Sequence, residues 1–274
     1  MKRLWRHLTI RRELASSLVS LAPTRRDRLR LIVLPFAIAL WQRLPSLRHR
    51  WLYVRLRKLG HTFTFAINDS SELFVLADVL CEEQYELAED FRPRTILDLG
   101  SHIGASIIYF KLKYPDASIF GYEPHPATFR KLERNVGHLP DVHLTRAAAA
   151  AGDGPVTLFE AKRTWASSLR ADWGDEARAR ITVQGVTLET IFRALALEQV
   201  DLIKLDVEGA ELELLRADAF AEPRAAVIVG EIHDFLPDSE RDAATIKDLL
   251  MSRGYVWRSR RYSTDHVFVA TLNR

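Results

Sequence analysis

Thr95-Ile-Leu-Asp-Leu-Gly-Ser-His-Ile-Gly104, followed by Gly121-Tyr-Glu-Pro124, decides how the chain folds. Ile96, Leu97 and Leu99 form a short apolar run that ends at Gly100, as a strand buried on both faces of a parallel sheet does. From Ile103 to Tyr114 the spacing turns helical, with Ile103, Ile107, Phe110 and Tyr114 along one side. Ser118 to Tyr122 reads as the next strand, and Glu123 stands at its carboxyl end. In an open α/β sheet an acid at that place grips ribose hydroxyls, so the unit points to a nucleoside-containing ligand. The helix start offers free N–H groups, and the Gly100 turn is expected to let a ligand approach the backbone.

Downstream, helix and strand signals alternate. Pro126 to Val136 reads as a helix with proline in its first turn. Val142 to Thr145 reads as a strand that Ala147 to Ala151 continues. Val156 to Phe159 and Ile181 to Val183 read as two further strands, and Thr187 begins a helix to about Leu197. Val200-Asp-Leu-Ile-Lys-Leu-Asp206 is a strand ending in a carboxylate, with Val207-Glu-Gly-Ala-Glu211 opening a helix through Leu215. Ala225 to Ile232 is a strand that runs into Glu231-Ile-His233, and Ser239 to Ser252 is a helix closed by Gly254. Tyr255 to Arg258 and His266 to Thr271 are expected to pair antiparallel across a short polar loop. The pattern predicts an α/β fold with a mostly parallel sheet and helices on both faces.

Upstream, residues 61–71 read as a strand or hairpin edge, and Leu73 to Ala88 as a helix started by Asp69, Ser70 and Ser71. Residues 1–60 read as helical and strongly basic, with fifteen lysines and arginines against Glu13 and Asp27, although the whole chain is only +3. The expected organisation is a basic, partly amphipathic extension over 1–60 and a catalytic domain over 61–274. Leu31 to Trp41 is apolar but short of the roughly 20 residues that span a bilayer, and no signal-peptide cleavage site follows it. Either this arm lies on an anionic membrane surface with Trp41 and Trp51 at the interface, or it packs on the catalytic domain with its arginines in water. No nucleic-acid-binding motif accompanies the charge, so nucleic acid is not an expected partner. The apolar fraction of 47% supports a proper core. The single Cys81 excludes an internal disulfide and fits a reducing, cytoplasmic compartment, peripheral to the inner membrane face on the surface-bound alternative.

Four strand ends carry polar groups: Asp98-Leu-Gly100, Glu123, Asp206-Val-Glu208 and Glu231-Ile-His233. Ligands of such sheets sit beyond the carboxyl ends of the strands, so these ends should converge on one site. A dinucleotide turn wants G-x-G-x-x-G, and here His102 holds the middle glycine position. That argues against an NAD-type oxidoreductase and for S-adenosylmethionine, which has a ribose but no phosphate. The expected cofactor-binding residues are Asp98, Gly100, Ser101, His102, Gly104, Glu123 and Pro124.

Asp98-Leu-Gly-Ser-His-Ile-Gly104, Tyr122-Glu-Pro-His-Pro126, Thr187-Leu-Glu189 and Ile203-Lys-Leu-Asp-Val-Glu-Gly-Ala-Glu211 resemble the FkbM family of S-adenosylmethionine-dependent methyltransferases. The resemblance covers about residues 70–235. It implies a class I, Rossmann-like methyltransferase fold and O-methylation of a hydroxyl on a sugar, glycolipid or related natural product. The family turn usually carries Ala-Asn where this chain has Ser101-His102.

For such a transfer the protein must align an acceptor oxygen and take its proton. The candidates are Asp206, His233, Glu208 and Glu231, His233 because imidazole accepts a proton near neutral pH. Lys204 shares a face with Asp206 and, as a charge in a core strand, needs an acidic partner such as Asp206 or Glu231. Asp206, Glu231 and His233 could hold a divalent cation, but the motifs do not demand a metal and none is expected. Ser167 and Ser168 are candidates for contact with cofactor or acceptor. A non-catalytic membrane-surface protein with a methyltransferase-like core is the remaining alternative.

Overall fold

The structure, a computed structural model, describes residues 17–41, Leu44, and residues 50–161, 167–170, 179–233, 239–262 and 265–273. The first long helix, α1 (Arg25–Trp41), runs through Pro35 and packs on a hairpin of β1 (Leu52–Lys58) and β2 (His61–Ile67). The sequence reading makes 52–58 helical, but it is a strand. Val54 and Leu56 are buried while Tyr53, Arg55 and Arg57 are exposed, an alternation with period two that the surrounding arginines disguise. The domain boundary expected near residue 60 falls in the Leu59–Gly60 turn of this hairpin, where both residues take positive φ.

Helix α2 (Glu72–Leu80) stops well short of the expected Ala88. Glu83 adopts φ 51°, and its carboxylate is pinned by Lys58 at 2.7 Å and Lys113 at 2.9 Å. Residues 81–94 therefore form a loop rather than more helix.

The main sheet then begins with β3 (Thr95–Leu99), α3 (Ala105–Lys113), β4 (Ser118–Tyr122), α4 (Pro126–Val136) and β5 (Val142–Thr145). The alanine run does not prolong β5. It leaves the main sheet as β6 (Ala148–Ala149) and pairs with a side hairpin of β7 (Gly154–Glu160) and β8 (Ala179–Val186). Helix α5 (Leu188–Ala194) follows, capped by the Thr187 hydroxyl, which accepts from the Thr190 N–H. The chain returns to the main sheet as β9 (Val200–Leu205), α6 (Glu211–Arg216), β10 (Ala225–His233), α7 (Ser239–Ser252), β11 (Tyr255–Tyr262) and β12 (Asp265–Leu272).

The seven strands lie in the order β11-β12-β10-β9-β3-β4-β5. All run parallel except β12, which is antiparallel to both its neighbours. This is the expected class I methyltransferase sheet. Two apolar layers cover its faces. One is built around Ile96, Ile107, Phe110 and Leu202, and the other around Leu97, Leu205, Ile228 and Phe268. The strand order reverses between β3 and β9, the switch point at which ligands of open α/β sheets bind beyond the strand ends. Asn135 of α4 ties this region down: its Oδ1 accepts from the Ala66 N–H at 2.7 Å, and its Nδ2 donates to the Ile103 carbonyl at 2.9 Å.

Candidate active site

Asp98, Lys204, Asp206, Glu208 and His233 come together at the ends of β3, β9 and β10. Asp98 on β3 lies beside Lys204 on β9 in the parallel register, and both side chains are almost wholly buried. Lys204 Nζ stands 3.3 Å from Asp98 Oδ1 and 3.3 Å from Asp206 Oδ2, and it donates to the Gly100 carbonyl at 2.6 Å. Burial alone would lower the Lys204 pKa. Asp98 and Asp206 more than offset that and hold the ammonium charged, above its ordinary range. The other oxygen of Asp98 accepts from Ser106 Oγ at 2.6 Å. Asp98 is therefore paired with Lys204 and Ser106, while its Oδ1 has no hydrogen-bond partner among the described residues.

Asp206 is the hub. Burial would raise its pKa, but Lys204, His233 and Tyr85 together hold the carboxylate well below its usual range. Tyr85 Oη donates to Asp206 Oδ2 at 3.0 Å, and the ring carries Lys204 Nζ 5.5 Å from its centroid. His233 Nε2 lies 3.6 Å from Asp206 Oδ1 and 3.6 Å from Glu208 Oε2. Neither carboxylate oxygen has a hydrogen-bond partner of ordinary length among the described residues. Burial raises the Glu208 carboxyl well above its ordinary range, His233 opposes that, and Asp206 and Glu231 add to it. Glu208 reaches this position because residue 208 takes φ 56° and its carbonyl is held by Ser168 Oγ. Ser167 lies apart, accepting weakly from the Ala161 N–H at 3.4 Å.

Glu231 accepts from Gln84 Nε2 at 2.8 Å. Glu211, at the start of α6, accepts from the Val207 and Gly209 N–H groups and so braces the loop that carries Glu208. One ligand atom each from Asp206, Glu211 and His233 lies within 4.8 Å of the others. The Glu211 oxygens are already committed to backbone donors, so this cluster is braced by the chain itself.

On the β4 side, Glu123 Oε2 accepts from the His102 N–H at 3.1 Å and Oε1 from the His125 N–H at 2.8 Å. Burial pushes Glu123 up to about 7, against the pull of these two N–H groups. Pro124 follows, half-buried, and leads into His125, which caps α4. His102 takes φ 47°, and neither of its ring nitrogens meets a described hydrogen-bond partner. Burial pushes this imidazole down to about 3, so it is neutral at physiological pH. Ser101 is buried and donates to the Asp98 carbonyl at 3.0 Å.

The two glycines of the turn answer to packing. A Cβ on Gly104 would come within 2.8 Å of Val136 and 3.1 Å of Leu132 on α4. A Cβ on Gly100 would meet the Asp206 main-chain oxygen. Close packing accounts for the missing side chain at both positions.

A sequence model of the FkbM methyltransferase domain matches residues 98–257, more than half of the chain. The chain belongs to the FkbM methyltransferase family. Three relatives are informative. "Methyltransferase 1" of Beauveria bassiana is 26% identical over 223 residues, covering 72% of this chain and 88% of that protein. "Hexuronic acid methyltransferase AglP" of Haloferax volcanii is 24% identical over 178 residues, covering 64% and 72%. "2-O-methyltransferase NoeI" of Sinorhizobium fredii is 25% identical over 172 residues, covering 57% and 71%. The FkbM match begins at Asp98 and takes in the glycine turn, Glu123, Lys204, Asp206, Glu208 and His233. Gln84 and Tyr85 lie upstream of it. They carry no motif, and sequence reasoning missed them. Only a polar and an aromatic residue just before the first core strand hint at them.

Proposed function

We propose that this FkbM methyltransferase is an S-adenosylmethionine-dependent O-methyltransferase acting on a hydroxyl of a sugar, a glycolipid or a related saccharide. The methyltransferase unit is taken as residues 61–274, with 1–60 as a basic extension, and the protein as cytoplasmic. The names of two relatives, a hexuronic acid methyltransferase and a 2-O-methyltransferase, favour a saccharide hydroxyl.

The residues suit the cofactor. Glu123 ends β4 as a buried carboxylate whose two oxygens each keep a lone pair beyond the single N–H bond they accept, which suits ribose hydroxyls. His102 offers two buried ring nitrogens with no described partner, beside the Gly100–Gly104 turn. Glu123, His102 and Pro124 are the residues we assign to hold S-adenosylmethionine, with Ser101, Gly100, Gly104 and Asp98 shaping the turn behind them. When bound, the cofactor supplies an already activated methyl group.

The chain's part is to orient the acceptor and take its proton. The observation that carries this assignment is His233 Nε2 between Asp206 Oδ1 and Glu208 Oε2, 3.6 Å from each. In this assignment His233 accepts the hydroxyl proton. Asp206 stabilises the imidazolium that forms, as a charge that needs no rearrangement at that moment, and Glu208 lies at the same distance from the ring nitrogen. Lys204 and Tyr85 fix Asp206, and Gln84 fixes Glu231 at the rim, where it can meet acceptor hydroxyls.

The test is a transfer screen with methyl-labelled S-adenosylmethionine across free sugars, uronic acids, nucleotide sugars and lipid-linked saccharides. Label is expected on a saccharide oxygen, with transfer lost in His233→Asn while cofactor affinity stays. Label appearing on nitrogen or carbon would overturn the O-transfer assignment.

A further inference from the structure

Helix α1 is apolar on two opposite sides, and among the described residues the body of the protein covers only one. Asp27, Leu31 and Ile38 are buried, and Leu34 packs partly against the same core. At about 100° per residue, Leu29, Ile32, Val33, Phe36 and Leu40 line the opposite side, and they are between 51% and 76% exposed. A contiguous apolar stripe left in water marks a contact surface. The stripe borders a groove of about 500 Å³ between α1 and β1, into which Leu29, Val33 and Tyr53 also face.

Charge says what the stripe meets. Arg25 and Arg26 stand at its amino end, and Arg28 and Arg30 flank it on either side, all four exposed. Aromatic residues stand by with cations of their own: Trp41 beneath Arg50, and Trp51 and Tyr53 beneath Arg134. A symmetric contact with α1 of a second copy would set these arginines against like charges. An anionic bilayer offers the complement, with acyl chains for the stripe, phosphates for the arginines, and a headgroup layer for tryptophan and tyrosine. No described helix is long and apolar enough to cross a membrane, which leaves α1 lying in the interface plane.

We infer that the outer face of α1 docks this methyltransferase on anionic lipid bilayers. This inference does not rest on the identity of the acceptor or cofactor, and the two can fail separately.

The experiment is cosedimentation of the full chain with vesicles of phosphatidylcholine alone or with about one third phosphatidylglycerol. The wild type is expected to bind the anionic vesicles and to be released as salt rises. Val33→Ser/Phe36→Ser should weaken that binding about tenfold or more, through lost apolar burial. Arg25→Ala/Arg26→Ala/Arg28→Ala/Arg30→Ala should do the same through lost charge. Both variants alter exposed positions, so an unchanged melting temperature and unchanged S-adenosylmethionine binding are expected alongside. Absent binding by the wild type, or salt-independent binding, overturns the inference. So does equal binding by either variant, or a wild-type dimer that Val33→Ser/Phe36→Ser splits.

Discussion

The main-chain oxygen of Asp206 occupies the space into which a side chain at residue 100 would point: a Cβ on Gly100 would come within 1.8 Å of it. The Asp206 N–H donates back to the Leu99 carbonyl at 3.2 Å. The glycine turn after β3 and the acidic end of β9 are thus seated on each other. The turn assigned to the cofactor and the carboxylate assigned to the acceptor are positioned by one contact between their backbones.

Gly100→Ala should therefore destabilise the fold and not merely trim a pocket. The substitution meets both a φ of 84° and an immovable backbone atom. A loss of about 3 kcal/mol or more is expected in chemical denaturation. A variant of native stability that has lost only ligand binding would return Gly100 to the role of making room for a ligand.

Lys204→Met should cost about 3–5 kcal/mol, because Asp98 and Asp206 then lose their shared buried cation. Adding Asp98→Asn should recover part of the loss, since one of the two uncompensated carboxylates is removed. Non-additive denaturation midpoints across this double-mutant cycle are the measurement; strictly additive ones would deny the coupling.

Glu123 sets a pH dependence. Its folded pKa of about 7 lies above the ordinary 4.5. At low pH the carboxyl is protonated in both states, and its buried negative charge costs nothing. Between about 4.5 and 7 the unfolded chain releases a proton that the folded chain keeps, so stability falls as pH rises through that window. The contribution is about 3 kcal/mol, complete above pH 7. Glu123→Gln should flatten this part of the profile when melting temperatures of the two proteins are compared from pH 5 to 8. Glu72, Glu208 and Glu211 are also raised, but equally in both proteins, so the difference isolates Glu123.

His233→Asn should lower kcat by about 100-fold or more and leave the cofactor Kd near its wild-type value. Glu208→Gln should lower kcat less, since burial already favours the neutral form of Glu208 and Asp206 remains as the charge beside the imidazole. Steady-state kinetics on the acceptor found by the screen would measure both. A variant that lost cofactor binding in step with kcat would mark His233 as a binding residue instead.

The sheet was legible because its buried strands are apolar and its strand ends are acidic. Ile96–Leu99, Val200–Leu205 and Ala225–Ile232 read directly, and so did α4 and α7 with their end signals. Lys204 could be read as a paired structural charge from its place in a core strand, and Asp206 is one of its partners. Asp98 is the other partner, and the register that sets it beside Lys204 appears only in the folded sheet. The strand β1 was hidden by arginines at its exposed positions. The loop over residues 81–94 carries no periodicity, and Tyr85 meets Asp206 across 121 residues of chain. Glu83, two residues earlier in the same loop, is pinned by Lys58 and Lys113, which no local pattern reveals.

Calorimetric titration of the full chain with S-adenosylmethionine, beside Glu123→Arg, asks whether the carboxylate at the end of β4 holds this cofactor. A single micromolar site is expected in the wild type and none in the variant, with both proteins melting cooperatively. No heat from the wild type, or equal binding by a folded Glu123→Arg, would contradict that assignment.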